Sequence, residues 1–253
     1  MLREGYEVTA VHEATHWWFR SRRELVLRQV ARSAAQLEAR HGRLRILDYG
    51  CGTGFNLPYL AEFGEAVGAD VSDLPLGEFR KGENHARLDL REDLTAYHGQ
   101  FSIVLALDVL EHCDDDVAAL RAMSRFLKPE GQVVITVPAY QWLWSGEDVV
   151  SQHRRRYTRT ELLRVAREAD LHFEYASYFN LSVLPGIAAI IWARKLFNRG
   201  ALEHSNLQPT ARWLNETLRA LTTVEGVTVG SERLAMPAGA SLVARFSTGA
   251  HAQ

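Results

Sequence analysis

The sequence predicts an α/β fold in which a doubly wound, mostly parallel seven-stranded sheet carries helices on both faces. Two observations support this prediction. Short apolar runs alternate with helical stretches along the chain, and acidic residues or glycines follow several of these runs. Because right-handed crossovers bring the carboxyl ends of parallel strands to one edge, these residues are expected to meet at the edge where such folds bind ligands.

The composition is that of an ordinary globular protein. The 253 residues suffice for one α/β domain with additions, and 47% of them are hydrophobic. Basic and acidic residues nearly balance, at 29 against 31, which does not indicate a nucleic-acid partner. Cys51 and Cys113 are too few for a disulfide framework, and residues 1–7 lack the apolar core of a signal peptide. A cytoplasmic protein is therefore predicted.

The first strand and the turn after it form the most specific motif. Residues 46–54 read ILDYGCGTG, a short apolar run that ends in an acid and continues with glycine at every second position. Glycines let the backbone approach a ligand closely. The spacing differs from the Gly-x-Gly-x-x-Gly of dinucleotide-binding proteins, and no Lys-Ser/Thr follows as in a P-loop. The alternative to a ligand site is a tight strand-to-helix turn.

This turn resembles motif I of class I S-adenosylmethionine (SAM) methyltransferases. The resemblance implies a Rossmann-like methyltransferase fold with SAM, as its cofactor, bound against the turn. The residues implied in binding are Asp48, Gly50, Cys51, Gly52 and Gly54.

The second and third strands also end in acids. Residues 66–72 predict a short buried strand that ends at Asp70. In nucleotide-binding α/β units an acid at this place accepts hydrogen bonds from the ribose hydroxyls, so Asp70 and the adjacent Val71 are assigned to SAM. The third strand lies at residues 86–90. Resemblance to the family implies Asp89 near the adenine amino group and Leu90 against the ring, although Asp89 sits among other charges.

The fourth strand, residues 101–107, is nearly all apolar, as expected for a strand covered on both faces. The segment LDVLEH that ends it, residues 107–112, resembles the post-strand motif of many bacterial methyltransferases. This resemblance implies that Leu107, Asp108 and His112 line the methionine end of SAM. Alternatively, the polar residues simply begin a helix. A helix over 117–127 is expected to stop at residues 128–131, before a fifth strand at 132–138.

Before the first strand, residues 13–25 lead into a basic amphipathic helix that reaches about Arg40. Three consecutive aromatics, residues 17–19, exceed what one helix face can bury. They predict a lid that either packs on the sheet edge or closes over the positively charged sulfonium of SAM, with Trp18 in contact with it. The pattern E-x-x-HWWF-x-x-RR resembles the N-terminal signature of the type 11/12 methyltransferase subgroup.

The segment after strand five is expected to face the acceptor. Residues 138–148 and 153–158 resemble the subgroup pattern P-A-Y-x-x-L-W-S-x-H-D followed by H-x-R-R-Y-T, except that Glu147 replaces the usual histidine. His153 is therefore the better candidate base, and Tyr140, Trp144 and Tyr157 are expected beside it. The arginines at 154–156 are predicted either to bind a carboxylate or phosphate on the acceptor or to lie in a solvated turn with salt bridges to Glu147 or Asp148. A helix N-cap is predicted at residues 158–161.

Residues 181–192 form the most apolar stretch, which is too short to span a bilayer. With the basic residues Arg194, Lys195 and Arg199 behind it, the stretch predicts a buried helix, a dimer face or an interfacial helix at anionic lipid, and the first two are favoured. The last strand is predicted at 240–246, paired with residues 173–178.

These observations predict a single-domain class I SAM-dependent methyltransferase that acts on a small-molecule or lipid-linked acceptor, with no metal site, as a monomer or homodimer. Its parts are an N-terminal lid and helix (1–42), a cofactor-binding half (43–138), a substrate-cover segment with helices (139–235), and the last strand and tail (236–253). The alternatives are an enzyme that uses SAM without methylating and an NAD(P)-dependent oxidoreductase. A further alternative is a non-catalytic protein that kept the fold.

Overall fold

The computed structural model describes residues 9–71, 86–197 and 210–249. The strands are β1 (Arg45–Tyr49), β2 (Glu65–Asp70), β3 (Ala86–Asp89), β4 (Phe101–Leu107), β5 (Leu127–Pro138), β6 (His172–Phe179) and β7 (Ser241–Ser247). They form one seven-stranded sheet in the order β3-β2-β1-β4-β5-β7-β6. Strands β1 to β5 are parallel, and β7 runs antiparallel to both β5 and β6. The predicted fold class is confirmed.

Helices cover both faces of this sheet. Within the described residues they are α1 (Trp17–His41), α2 (Leu57–Leu60), α3 (Asp116–Ser124), α4 (Gly146–Val150), α5 (Arg159–Glu168), α6 (Leu184–Phe197) and α7 (Arg212–Gly230). Successive residues of one strand point to opposite faces. Ile46 therefore belongs to the hydrophobic cluster that includes Val30 of α1, and Leu47 belongs to the separate cluster that includes Leu162 of α5. The sheet is buried on both sides, which explains why β4 is continuously apolar.

One boundary differs from the prediction. The helix expected over 117–127 ends at Ser124, and β5 already begins at Leu127. Leu127 pairs with Phe101, and Phe126 and Leu127 are both buried. The stop signal at 128–131 thus lies inside β5, where the register with β4 is irregular and Glu130 has a φ of 60°. Burial of two large apolar side chains against β4 outweighs the local tendency to leave the sheet.

The apolar stretch near residue 190 is not a buried helix. Among the α6 residues whose burial is described, Ile191 alone is buried, whereas Ile190, Trp192 and Leu196 expose 56%, 55% and 73% of their surface. The interpretation as a core helix is therefore wrong for the described part of the single chain, because most of these residues are exposed or half-buried. Within the described residues, no helix combines the length and apolar character needed to cross a membrane. Ser72 and Arg199 lie outside the described residues.

Candidate active site

A cavity of about 1190 Å³ opens at the edge where the parallel strands end. Its floor is the turn after β1 with the ends of β2 and β4, and its sides come from α1, α6 and α7. The side built by α6 and α7 is apolar and includes Ile187, Ile191, Leu214 and Leu218. A polar floor below an apolar side suits ligands of mixed polarity.

The turn after β1 is fixed against β2 and against the loop after β4. The Gly50 amide donates to the carbonyl oxygen of Ala69 at 2.7 Å, and the Gly52 amide donates to Asp70 Oδ2 at 2.7 Å. Gly50 has a φ of 76°, and a Cβ atom on it would lie 2.7 Å from Cγ2 of Val109. Glycine is needed at position 50 because both the dihedral angle and the close approach exclude a side chain.

Two buried carboxyl groups flank this turn. Asp48 is 1% exposed and Asp70 is 3% exposed. Burial, with repulsion from Asp70, raises the pKa of Asp48 to about 7. Asp48 Oδ2 has no hydrogen-bond partner among the described residues, so this atom can accept a hydrogen bond from a ligand in the cavity.

Most residues assigned to SAM by the sequence lie together on the cavity wall, although the strands that carry them are far apart in the chain. They are Trp18, Asp48, Gly50, Cys51, Gly52, Asp70, Val71, Leu90, Leu107, Asp108 and His112. Gly54 and Asp89 are not among the described residues that line the cavity. The Gly54 amide donates to the carbonyl oxygen of Cys51 at 2.9 Å, so this glycine shapes the turn without lining the cavity.

Asp89 is engaged by an ion pair with Arg91, and its assignment to the adenine stays a prediction. The guanidinium of Arg91 donates from Nε to both carboxylate oxygens, at 2.8 and 3.1 Å, and Nη2 also contacts Oδ2. The hydrogen bonds from Arg91 hold the pKa of Asp89 near 2. The local charges that surround Asp89 in the sequence are the physical reason, because the nearest guanidinium occupies the carboxylate.

The three consecutive aromatic residues all line the cavity, and one of them is also buried in the core. Trp17 is buried, and Trp17, Trp18 and Phe19 all lie on the cavity wall. His16 caps α1 by accepting a hydrogen bond from the Trp18 amide at Nδ1, at 3.3 Å. The cap fixes the first turn of α1, and this turn places Trp18 and Phe19 against the cavity. Closure of this segment as a lid stays a prediction.

Two contacts between the N-terminal segment and the cavity floor were not predicted from the sequence. Thr53 donates from Oγ1 to Glu13 Oε2 at 2.6 Å, and both side chains are buried. Arg22 forms an ion pair with Asp108, and burial lowers the pKa of Arg22. In the sequence, Glu13 and Arg22 belong to the E-x-x-HWWF-x-x-RR pattern, but this pattern does not identify the residues that they contact. These contacts join α1 to the glycine turn and to the end of β4.

His153 also lies on the cavity wall, where it is held by a buried acid. Its Nδ1 lies 2.9 Å from Asp148 Oδ1, and Asp148 also accepts hydrogen bonds from Arg156 Nε and Nη2 at 2.7 and 2.8 Å. The hydrogen bonds from His153 and Arg156 outweigh burial and lower the pKa of Asp148 to about 2. Since Asp148 is an acceptor, Nδ1 of His153 carries a proton and donates it in this hydrogen bond. The sequence analysis named Asp148 only as a possible partner of the arginines at 154–156, and its contact with His153 was not predicted.

Glu111 and His112 lie beside His153 on the same wall. Glu111 is fully buried, and neither carboxyl oxygen has a hydrogen-bond partner among the described residues. Burial raises the pKa of Glu111 to about 8. The His112 and His153 rings meet edge to face with centroids 4.7 Å apart, and burial together with His153 lowers the pKa of His112 to about 4. His112 is therefore a neutral imidazole at pH 7.

The rest of the 153–158 segment is structural. Arg156 forms the expected salt bridge with Asp148, whereas Arg154 pairs with Asp114 at 3.2 Å and Arg155 with Asp116 at 3.1 Å. Tyr157 is 2% exposed and donates its hydroxyl to Asp116 Oδ2 at 2.9 Å. Tyr157 does not line the cavity, and its expected place beside the acceptor is corrected. Its hydroxyl instead ties the segment to the start of α3.

Tyr140 and Trp144 also lie off the described wall. The Tyr140 ring stacks on Trp142 and Tyr178, with centroid distances of 5.6 and 5.0 Å. The proposed roles of Tyr140 as a catalytic residue and of Trp144 as an acceptor contact are therefore corrected. The physical reason for Tyr140 is its stacking with two rings, which directs its side chain into the packing beside β6.

The family model for the methyltransferase domain matches residues 16–175 of the chain. Two curated relatives are ubiquinone biosynthesis O-methyltransferases. The protein of Pseudomonas aeruginosa strain LESB58 is 32% identical over 149 residues, which cover 50% of this chain and 64% of the relative. The protein of Ruegeria pomeroyi is 33% identical over 148 residues, which cover 51% of this chain and 60% of the relative. The chain thus spans under two thirds of each relative.

Solved structures with the same fold have little sequence in common with the chain. The YcgJ protein of Bacillus subtilis superposes with a TM-score of 0.51 at 14% identity, covering 87% of this chain and 99% of that one. The [4+2]-cyclase SpnF superposes with a TM-score of 0.50 at 16% identity, covering 88% of this chain and 80% of that one. These likenesses concern the fold alone, since one fold serves many reactions.

Proposed function

Because the chain belongs to the methyltransferase-domain family, we propose that it is an enzyme that transfers the methyl group of SAM to a small-molecule or lipid-linked acceptor. The observation that carries the proposal is the buried, unpartnered oxygen of Asp48 beside the glycine turn, at the edge where the parallel strands end. When bound, SAM supplies an activated methyl group on a positively charged sulfur. We also propose that the chain belongs to the type 11/12 subgroup and that it is located in the cytoplasm. The free thiols of Cys51 and Cys113 support the cytoplasmic location.

The residues on the wall fit such a molecule by their chemistry. Asp70 offers a buried carboxylate for the ribose hydroxyls, and Val71 and Leu90 offer apolar surface for the adenine. Asp48 offers an acceptor for an ammonium group, and Trp18 offers a ring face that attracts a cation. The wall thus contains acceptors for the ribose hydroxyls and the ammonium group, apolar surface for the adenine and an aromatic ring for the sulfonium. These residues orient the methyl group and exclude water from it.

Replacement of Asp70 by Ala is expected to weaken SAM binding by about 1.5 to 3 kcal/mol, the usual loss for a hydrogen bond to a charged group. Isothermal titration calorimetry measures the dissociation constant, which is expected to be micromolar for the wild type, about −7 to −8 kcal/mol. Asp89→Ala is the matched control, since Asp89 also ends a strand of this sheet but pairs with Arg91 off the wall. Equal affinity of the Asp70 variant and the wild type would remove its role at the ribose.

The same calorimeter tests the function class. Heat with NAD and none with SAM would show a NAD(P)-dependent oxidoreductase and would end the proposal. Incubation with SAM alone separates methyl transfer from the alternative SAM chemistries. A methyltransferase leaves SAM unchanged without an acceptor, whereas cyclisation or aminocarboxypropyl release gives a product.

The acceptor is proposed to bind between His153 and the apolar side of the cavity. His153 lies on the wall, and its Nδ1 donates a hydrogen bond to Asp148. Asp148 and Arg156 fix the ring, so that Nε2 can act on a hydroxyl of the acceptor. Ile187 and Ile191 extend this end of the cavity with apolar surface, which supports an acceptor with a hydrocarbon part.

A lipid-linked acceptor implies contact with a membrane surface through α6. Ile190, Trp192 and Leu196 are exposed there, with Arg194 and Lys195 next to them. The protein is expected to sediment with vesicles that contain anionic phospholipid, and Trp192→Glu is expected to reduce the bound fraction. Leu234→Glu is the matched control, since Leu234 is 58% exposed outside α6. Equal sedimentation of the Trp192 variant would contradict the membrane contact, and a concentration-dependent dimer lost in that variant would assign α6 to a dimer face.

A further inference from the structure

Three side chains that can bind a metal ion converge on the acceptor end of the cavity. Glu111 and His112 come from the short helical turn Leu110–His112 after β4, and His153 follows α4. One ligand atom from each lies within 4.8 Å of the others, and His153 Nε2 is 4.0 Å from Glu111 Oε1. Ligand atoms on one tetrahedral cation lie about 3.3 Å apart, so small side-chain shifts would complete the geometry.

We propose that Glu111, His112 and His153 bind one divalent transition-metal ion, although the sequence predicts no metal site. The independent observation is the Glu111 side chain, which is 0% exposed, has no hydrogen bond at either oxygen and faces both imidazoles. A buried carboxyl group without a partner is costly, since burial removes its hydration. A cation between this carboxylate and the two rings would satisfy it.

The surroundings prepare both imidazoles as ligands. Asp148 accepts a hydrogen bond from His153 Nδ1, which leaves Nε2 directed toward Glu111 as the nitrogen available to a metal ion. A carboxylate behind a metal-binding histidine fixes its tautomer and its orientation in this way. The His112 ring meets the His153 ring edge to face, with centroids 4.7 Å apart, so both imidazoles lie beside Glu111.

The ligand set defines the class of ion. Two imidazole nitrogens and one carboxylate favour Zn²⁺, Fe²⁺, Co²⁺ or Mn²⁺ over Mg²⁺ and Ca²⁺, which prefer oxygen ligands. Three protein ligands leave at least one coordination position open, as in catalytic zinc sites. Since Glu111, His112 and His153 all line the cavity, this open position would face the acceptor.

The metal site makes the proposed function more specific, and the catalytic role of the metal ion rests on that proposed function. A hydroxyl group bound to such an ion has a lowered pKa, so an oxygen acceptor would not need a protein base. The hydroxyl proton goes to solvent, the carbon–oxygen bond forms as the carbon–sulfur bond breaks, and sulfur leaves as a neutral thioether. This chemistry specifies O-methylation, and it makes His153 a ligand rather than a base.

The test is metal binding by the untagged full-length protein, separately from activity. After dialysis against a chelator, the protein is titrated with Co²⁺, and the visible absorption bands of the bound ion are recorded. We expect one Co²⁺ per chain, displaced by Zn²⁺ and not by Mg²⁺. Glu111→Gln, His112→Ala and His153→Ala are each expected to weaken binding by at least about tenfold, and Asp148→Asn by about 10- to 100-fold. Thermal melting checks that each variant folds.

His98→Ala and His172→Ala are the matched controls, since neither histidine lies on the cavity wall. Binding that is unchanged in all three ligand variants, or absent in the wild type, would overturn the site. SAM calorimetry on the same samples separates the two proposals. SAM binding without metal binding overturns the metal site and leaves His153 as a base. Metal binding without SAM binding overturns the proposed function and retains the metal site.

Discussion

Gly52→Asp should abolish SAM binding by raising the dissociation constant at least about 100-fold, or about 2.7 kcal/mol, while the protein stays folded. The Gly52 amide donates to Asp70 Oδ2 at 2.7 Å, and Gly52 lies on the cavity wall. An aspartate there would add a third carboxylate beside Asp48 and Asp70 and would fill space at the floor of the cavity. The backbone tolerates the change, because Gly52 has a φ of 56°, a value that aspartate adopts at modest cost.

Calorimetry with SAM and thermal melting measure the two parts of this prediction. Gly99→Asp is the matched control, because Gly99 also has a positive φ, of 68°, and nothing lies within 4 Å of a Cβ atom built there. The control is expected to bind SAM like the wild type and to show the cost of the backbone conformation alone. Wild-type affinity in the Gly52 variant would place SAM elsewhere.

His153→Ala should lower kcat by about 100-fold or more while the dissociation constant of SAM changes by no more than about threefold. The reason is position. His153 is held by Asp148 at the acceptor end of the cavity, whereas SAM is proposed to bind at the glycine turn after β1. Loss of the imidazole removes the group that acts on the acceptor and leaves the wall around SAM unchanged.

Single-turnover kinetics with an identified acceptor measure the rate of methyl transfer, and calorimetry measures the dissociation constant of SAM. His172→Ala serves as the matched control, since His172 is exposed at the start of β6. If the His153 variant loses thermal stability and SAM affinity together, the side chain only anchors its segment. Both a base and a metal ligand predict the loss in kcat, and the Co²⁺ titration distinguishes them.

The architecture follows from local patterns. The continuous apolar run of β4 and the glycine spacing at 50–54 predict a buried strand and a ligand-binding turn without reference to any distant residue. The capping box at Thr158 and Glu161 is also local, and the structure confirms it as the start of α5. Such features depend on residues a few positions apart, so the sequence contains all the information that they need.

The boundary at β5 required the tertiary structure. Lys128 to Gly131 carries a helix-stop signal, yet these residues lie inside the strand because Leu127 pairs with Phe101, 26 positions earlier by number. The same holds for α6, where an apolar composition predicted a core helix and the packing left it exposed. Composition gives the free energy available from burial, whereas only the fold decides which surface is covered.

The cavity wall shows the same division between sequence and structure. The sequence alone determined the fold class, the glycine turn and the acids at the ends of β1 and β2, because each is written in one short segment. Only the tertiary structure decided that Asp148 holds His153, that Arg22 pairs with Asp108 and that Tyr157 turns away from the cavity. The physical reason is that hydrogen bonds and ion pairs depend on the distance and direction between side chains, which the packing of segments onto one another sets.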